Sequence, residues 1–76
     1  MEREYSILSK TDVENLLCII SDNAIIIDEI GSSYKKSPEK DEQYNHYIEG
    51  KHAGTVNREF IVNLLTNSEF LVIDDE

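Results

Sequence analysis

The stretch SDNAIIIDEIGSSY, from Ser21 to Tyr34, decides the fold of this chain because it fits two different structures. A helix begun in the preceding TDVENLLCII would continue to Ile30, with apolar residues at positions 13, 17, 20, 24 and 27 and with Gly31 as its stop. Alternatively, the chain turns at residues 21–23, which are poor helix formers, and returns as a strand. Three consecutive β-branched residues, at 25–27, favour the strand because they lose rotamer freedom in a helix.

The segment YIEGKHAGTV, residues 47–56, also favours a sheet. It predicts two short strands around a turn at Glu49-Gly50 or Gly50-Lys51, since glycine supplies positive φ there. A hairpin alone is marginal and needs a further strand or a helix to pack on, so we predict a strand at residues 24–30. The alternative is a helix over residues 38–49, capped by Ser37 and ended by Gly50, which would give a mostly α protein with three helices.

Two helices are predicted on either side of this region. The first begins at Ser9, with Leu8 and Val13 as a hydrophobic staple, or at Thr11, with Glu14 closing a capping box. The second spans NREFIVNLLTN, residues 57–67, with Asn57 as its cap. EFLVI, residues 69–73, predicts a strand that pairs with a sheet edge or with YSIL near the start, and KKSPEKDE, residues 35–42, predicts an exposed loop.

Length and composition indicate one small α+β domain over residues 1–76, with three or four antiparallel strands and two helices. The single cysteine, Cys18, precludes an internal disulfide and is interpreted as a small apolar filler. The N-terminus lacks the pattern of a signal peptide, and the longest apolar run, LLCII, is far shorter than the ~20 residues that cross a bilayer. We therefore expect a cytoplasmic protein that does not enter a membrane.

Charge is the most informative property of the sequence, with sixteen acidic residues against seven basic ones and a formal net charge of −9. Residues 1–34 carry seven acids and two bases, residues 35–58 carry four acids and five bases, and residues 59–76 carry five acids and no base. The negative excess therefore lies at the two ends of the chain. Direct binding to nucleic acid or to an anionic membrane is disfavoured, because phosphate contacts need Lys and Arg.

No motif of a known catalytic site is present: there is no glycine-rich phosphate loop, GxSxG, HExxH or CxxC. His46 and His52, with Glu42 or Glu49, provide at most a weak metal site, and we expect both histidines to be solvated. We therefore predict a protein without enzymatic activity, metal or cofactor.

The candidate partner-binding residues are tyrosines in the middle of the chain and clustered acids. Tyrosine offers a large contact area at low entropic cost, although cross-strand packing explains these tyrosines equally well. Carboxylates spaced along a strand imitate a phosphate backbone, although acids also keep a small protein soluble. The predicted set is Asp22, Asp28, Glu29, Tyr34, Glu39, Asp41, Glu42, Tyr44, Tyr47, Asp74, Asp75 and Glu76.

The leading hypothesis is an acidic inhibitor or regulator of a larger, basic, nucleic-acid-processing protein, acting as a nucleic-acid mimic. Anti-CRISPR and anti-restriction proteins of phages and mobile elements, which antagonise host defence, are a class with this physical profile. One alternative is a small adaptor that joins a partner or forms a homodimer through an apolar strand edge. Another is an antitoxin or immunity protein against a basic nuclease, for which the same physics applies.

Overall fold

The computed structural model of the protein describes residues 2–40 and 42–74 of the 76-residue chain. Its elements are β1 (Glu2–Ser6), α1 (Lys10–Ile19), β2 (Ile25–Asp28), β3 (Ser33–Lys36), β4 (Gln43–Ile48), β5 (Lys51–Asn57), α2 (Arg58–Thr66) and β6 (Glu69–Ile73). The strands form a six-stranded sheet in the order β1-β6-β2-β3-β4-β5, and neighbouring strands are antiparallel. The predicted α+β class is confirmed, whereas the predicted number of strands was too low.

The stretch that decides the fold forms a strand, as its β-branched residues predict. Helix α1 ends at Ile19, the chain turns, and β2 places Ile26 in the core at 1% exposure. The strand ends at Asp28, two residues before the predicted end, because the Asp28 carboxylate accepts hydrogen bonds from the backbone of the turn that follows. Its Oδ1 accepts hydrogen bonds from the backbone N–H groups of Ile30 and Ser32, at 3.1 and 2.9 Å.

The hairpin of β4 and β5 turns at Glu49 and Gly50, which have φ angles of 52° and 81°. Positive φ at both central residues is typical of a two-residue hairpin turn, so the predicted turn at Glu49-Gly50 is confirmed. The alternative helix over residues 38–49 is wrong, because β4 occupies half of that range. The predicted loop at 35–42 was also too long, because Lys35 and Lys36 belong to β3.

Both helices begin at a side chain that accepts a backbone hydrogen bond. Ser9 accepts from the Asp12 N–H at 3.2 Å, so Ser9 rather than Thr11 caps α1. Asn57 accepts from the Phe60 N–H at 2.8 Å and caps α2, as predicted. These caps satisfy donors that have no partner within the helix.

The core lies between the two helices and one face of the sheet. Its buried residues are Val13, Leu16, Leu17, Ile20, Ala24, Ile26, Tyr34, Tyr44, Ile61, Val62, Leu65, Phe70 and Val72. Cys18 is exposed, so its interpretation as an apolar filler is wrong: its Sγ accepts a hydrogen bond from the Arg58 guanidinium at 3.5 Å. In residues 2–40 and 42–74, no helix is long and apolar enough to span a membrane.

Candidate partner-binding surface

The sheet brings the two acidic ends of the chain together. Strand β6 lies between β1 and β2, and its pairing with β1 runs from Glu2 opposite Ile73 to Ser6 opposite Glu69. Stacking of the Tyr5 ring on Phe70, with centroids 5.2 Å apart, holds β1 against the sheet. Glu2 and Glu4 from one end of the chain and Glu69 from the other therefore lie on neighbouring strands at one edge of the sheet.

Four exposed glutamates make up what we call the acidic edge: Glu2, Glu4, Glu29 and Glu69. Glu2 and Glu4 alternate along β1, Glu69 begins β6, and Glu29 follows β2 directly. The Glu29 carboxylate accepts a hydrogen bond from the Glu69 backbone N–H at 2.7 Å, which ties the two neighbouring strands. Among residues 2–40 and 42–74, no Lys side chain forms an ion pair with any of the four glutamates, and Arg3 stands between Glu2 and Glu4 on β1.

The face of the sheet opposite the helices carries bands of different chemistry. Because side chains alternate along a strand, the cross-strand pairing shows which residues share this open face. One row across the sheet, from β1 to β4, is Glu2, Ile73, Ile25, Lys35 and Asn45, and the next row is Glu4, Leu71, Ile27, Ser33 and Tyr47. Thus an acidic band on β1 borders an apolar strip of Ile25, Ile27, Leu71 and Ile73, which borders a polar band on β3 and β4.

Two strongly exposed isoleucines flank the acidic edge. Ile7 follows β1 and is 70% exposed, and Ile30 follows Glu29 and is 86% exposed. Ile7 also has a φ of 42°, which is unusual and costly for a β-branched residue. Between them, a shallow groove of about 570 Å³ has carboxylates at its rim and the side chain of Leu71 among its apolar lining. Apolar contact area therefore lies directly beside the negative charge.

Four of the basic residues lie towards the opposite edge of the sheet, away from β1. Lys35, Lys36, Lys40 and Arg58, four of the seven Lys and Arg residues of the chain, line a cleft of about 730 Å³ near the ends of β3 and β4. The acidic edge lies on β1, β6 and β2, so the two groups of charges are separated across the sheet.

Three residues of the predicted partner-binding set lie in the interior. Asp28, Tyr34 and Tyr44 are 8, 3 and 3% exposed. The Tyr34 hydroxyl donates to Asp28 Oδ2 at 3.1 Å, and burial, together with this hydrogen bond, raises the pKa of Tyr34 to about 12. The Tyr34 ring also stacks on His46 at a centroid distance of 4.6 Å. These side chains offer almost no area to a partner, so none of the three belongs to the candidate partner-binding surface.

The other predicted residues are distributed around the molecule. Asp22 lies 3.9 Å from the Lys36 ammonium, and Asp74 accepts hydrogen bonds from the Ser21 N–H and hydroxyl. Glu39 and Glu42 are exposed in the loop between β3 and β4, near the lysine-lined cleft. Tyr47 lies on the open face against His52, and Asp41, Asp75 and Glu76 lie outside the described residues.

Among the predicted acids that the structure describes, Glu29 alone belongs to the acidic edge. Glu2 and Glu4 were missed because no strand was predicted at residues 2–4, and Glu69 was missed because its position beside Glu29 depends on the pairing of β6 with β2. The signal that would have found them is the negative excess at both chain ends, combined with a predicted pairing between the first and last strands.

The histidines and the potential metal ligands are the remaining candidates for a functional site. His46 packs against Tyr34, and its buried Nε2 has no hydrogen-bond partner among residues 2–40 and 42–74. Among residues 2–40 and 42–74, no three His, Cys, Asp or Glu side chains are placed to hold a metal ion. Comparisons of the chain with protein-family models, curated proteins and solved structures found no match.

Proposed function

We propose that this protein is a non-catalytic inhibitor or regulator that binds a basic surface of a nucleic-acid-processing protein through its acidic edge. The observation that supports this most strongly is that carboxylates from both ends of the chain lie on neighbouring strands at one edge of the sheet. In this role the carboxylates occupy Lys and Arg side chains that otherwise hold phosphate. Anti-CRISPR and anti-restriction proteins, and immunity proteins against basic nucleases, use the same chemistry.

The spacing of the charges is compatible with this role. Glu2 and Glu4 lie on the same face of β1, two residues and therefore about 6.7 Å apart along the strand. Consecutive phosphates of one DNA strand rise by about 3.4 Å along the helix axis and also turn about it, so their separation is larger than this rise and is on the same scale as that of the two carboxylates. Because β1 is hydrogen-bonded to β6, this spacing is fixed before a partner binds, which reduces the entropic cost of binding.

The exposed isoleucines complete the proposed interface. Charge pairs at the rim of an interface contribute mainly to the association rate and to specificity, whereas buried apolar side chains contribute most of the affinity. Ile7 and Ile30 are placed beside the carboxylates to supply that contact. We therefore expect a partner with Lys or Arg side chains around an apolar depression.

Affinity capture with matched variants tests this proposal. The edge variant Glu4→Gln, Glu29→Gln, Glu69→Gln removes three negative charges from the acidic edge. A control variant, Asp12→Asn, Glu49→Gln, Glu59→Gln, removes three exposed charges elsewhere. We expect the edge variant to lose about tenfold or more of the affinity for the captured protein, and the control variant to bind like the wild type.

Two further measurements in the same capture experiment test whether the partner uses a phosphate-binding site. Capture should decrease as NaCl rises from about 50 to about 500 mM, since salt screens exposed charge pairs. Added duplex DNA should release the captured protein if the carboxylates occupy its phosphate-binding site. Equal losses in the two variants, or capture that responds neither to salt nor to DNA, would contradict the proposal.

A further inference from the structure

The apolar strip on the open face has no covering element in the described part of the chain. Ile25 and Ile27 on β2 lie beside Ile73 and Leu71 on β6, at the centre of the sheet. The helices cover the other face, where Ile26 and Val72 are buried. Four aliphatic side chains at the centre of an open sheet face are typical of a surface that packs against a second layer.

We propose that a second copy of this chain covers the strip, in a two-fold symmetric dimer with the open faces packed together. A rotation of 180° about an axis in the plane of the interface, parallel to the strands and between β6 and β2, places Ile25 opposite Ile73 of the second copy. It also places Ile27 opposite Leu71 of the second copy. Each apolar strip is then covered by the other, as an isologous interface requires.

Charge complementarity selects this axis. Glu2, Ile73, Ile25 and Lys35 form one row across the sheet, so the same rotation places Glu2 opposite Lys35 of the second copy, and does so twice. An in-plane axis perpendicular to the strands would instead place β1 on β1, with Glu2 opposite Glu4 of the second copy. Opposed carboxylates disfavour that arrangement, whereas two Glu–Lys pairs favour the first.

The size and net charge of the protein determine how strong the dimer is. The overlapping region, four strands wide and five residues long, measures about 19 by 17 Å, or about 320 Å² per copy, which is well below the about 800 Å² per partner of a standard specific interface. Each copy carries a net charge of −9, and Glu69 comes to lie near Glu29 of the second copy at one end of the interface. We therefore expect a weak dimer that salt strengthens, because screening reduces the repulsion between the copies.

Sedimentation analysis of the full chain tests the dimer. Between about 5 and about 500 μM protein, we expect a shift from monomer to dimer, and we expect the dimer to be tighter at about 500 mM than at about 50 mM NaCl. A monomer at every concentration and salt level would overturn the proposal. So would a dimer that weakens as salt is added.

A charge-reversal cycle tests the geometry. Glu2→Lys brings two lysines together and Lys35→Glu brings two carboxylates together, so each single variant should weaken the dimer about tenfold. The double variant restores the pairs and should return to within about twofold of the wild type. Because the two single variants change the net charge in opposite directions, net charge cannot explain a loss in both. Glu59→Lys, on α2, is the matched control and should not weaken the dimer.

The face-to-face arrangement can also be tested on the wild-type protein, without any substitution. On dilution, the methyl NMR signals of the apolar strip should shift, while those of the buried Ile61 should not. A cycle without restoration, or dilution shifts confined to other surfaces, would overturn the face-to-face arrangement. The dimer and the proposed function can fail separately, because Lys35 takes part only in the dimer and because salt is expected to act in opposite directions on the two interactions.

Discussion

Replacement of Asp28 by alanine should remove a large part of the stability of this domain. The Asp28 carboxylate accepts three hydrogen bonds, from the N–H groups of Ile30 and Ser32 and from the Tyr34 hydroxyl. The donors of Ser32 and Tyr34 are buried, so water does not readily replace the lost acceptor. Each buried donor left unsatisfied costs about 1–3 kcal/mol, which gives a total loss of about 4 kcal/mol.

The total stability sets the scale of this loss. The free energy of unfolding of a 76-residue domain is expected to be about 4–11 kcal/mol, so Asp28→Ala would remove between about a third and all of it. Tyr34→Phe removes one of the three hydrogen bonds and leaves the other two, so it should cost only about 1 kcal/mol. The difference between the two variants separates the contribution of the turn from that of the tyrosine.

Urea unfolding followed by circular dichroism measures both values. Asp22→Ala is a suitable control, because the Asp22 side chain is 96% exposed and its pairing with Lys36, at 3.9 Å, should contribute less than about 1 kcal/mol. If Asp28→Ala costs no more than Tyr34→Phe, or no more than the control, the carboxylate does not hold the turn between β2 and β3 and the reasoning fails.

Three further predictions concern pH, capping and packing. The pKa of Tyr34 is raised to about 12 in the folded state from 10.0, so the neutral hydroxyl contributes its full stabilisation below about pH 10. As pH rises through 12, the free energy of unfolding should decrease by about 2–3 kcal/mol, and Tyr34→Phe should lack this decrease. Asn57→Ala should cost about 1 kcal/mol in urea unfolding by removing the cap of α2, and Asn57→Asp should retain most of it. Leu17→Ala should cost about 2–5 kcal/mol because Leu17 is 1% exposed, whereas Ile19→Ala, at 78% exposure, should change the thermal midpoint little.

The elements with strong local signals were predictable from the sequence. The β-branched run at residues 25–27, the caps at Ser9 and Asn57, and the Glu49-Gly50 turn each specify their structure within a few residues. Strand β3 was missed because its sequence, SYKK, contains two lysines and lacks an apolar alternation. In the fold, Tyr34 alone fills the core position of this strand, and its neighbours on both sides complete the pairing.

The acidic edge could not be predicted from local patterns. Strand β1, with the sequence EREYS, has the charge density of a solvated terminus and forms a strand because Tyr5 packs on Phe70, 65 residues later in the chain. Pairing at such a separation is fixed by the complete sheet rather than by propensity. Asp28 is likewise buried in the fold. In the sequence it stands next to Glu29, and no local pattern distinguishes the two acids.

The most direct measurement of the central claim is an NMR titration of the isotope-labelled protein with a short oligoarginine peptide at about 50 mM NaCl. If the carboxylates form one negative surface, amide shifts should concentrate at residues 2–6, 28–30 and 69–71, and the edge variant Glu4→Gln, Glu29→Gln, Glu69→Gln should lose them. Shifts spread evenly over the chain, or centred on α1 and α2, would contradict the account.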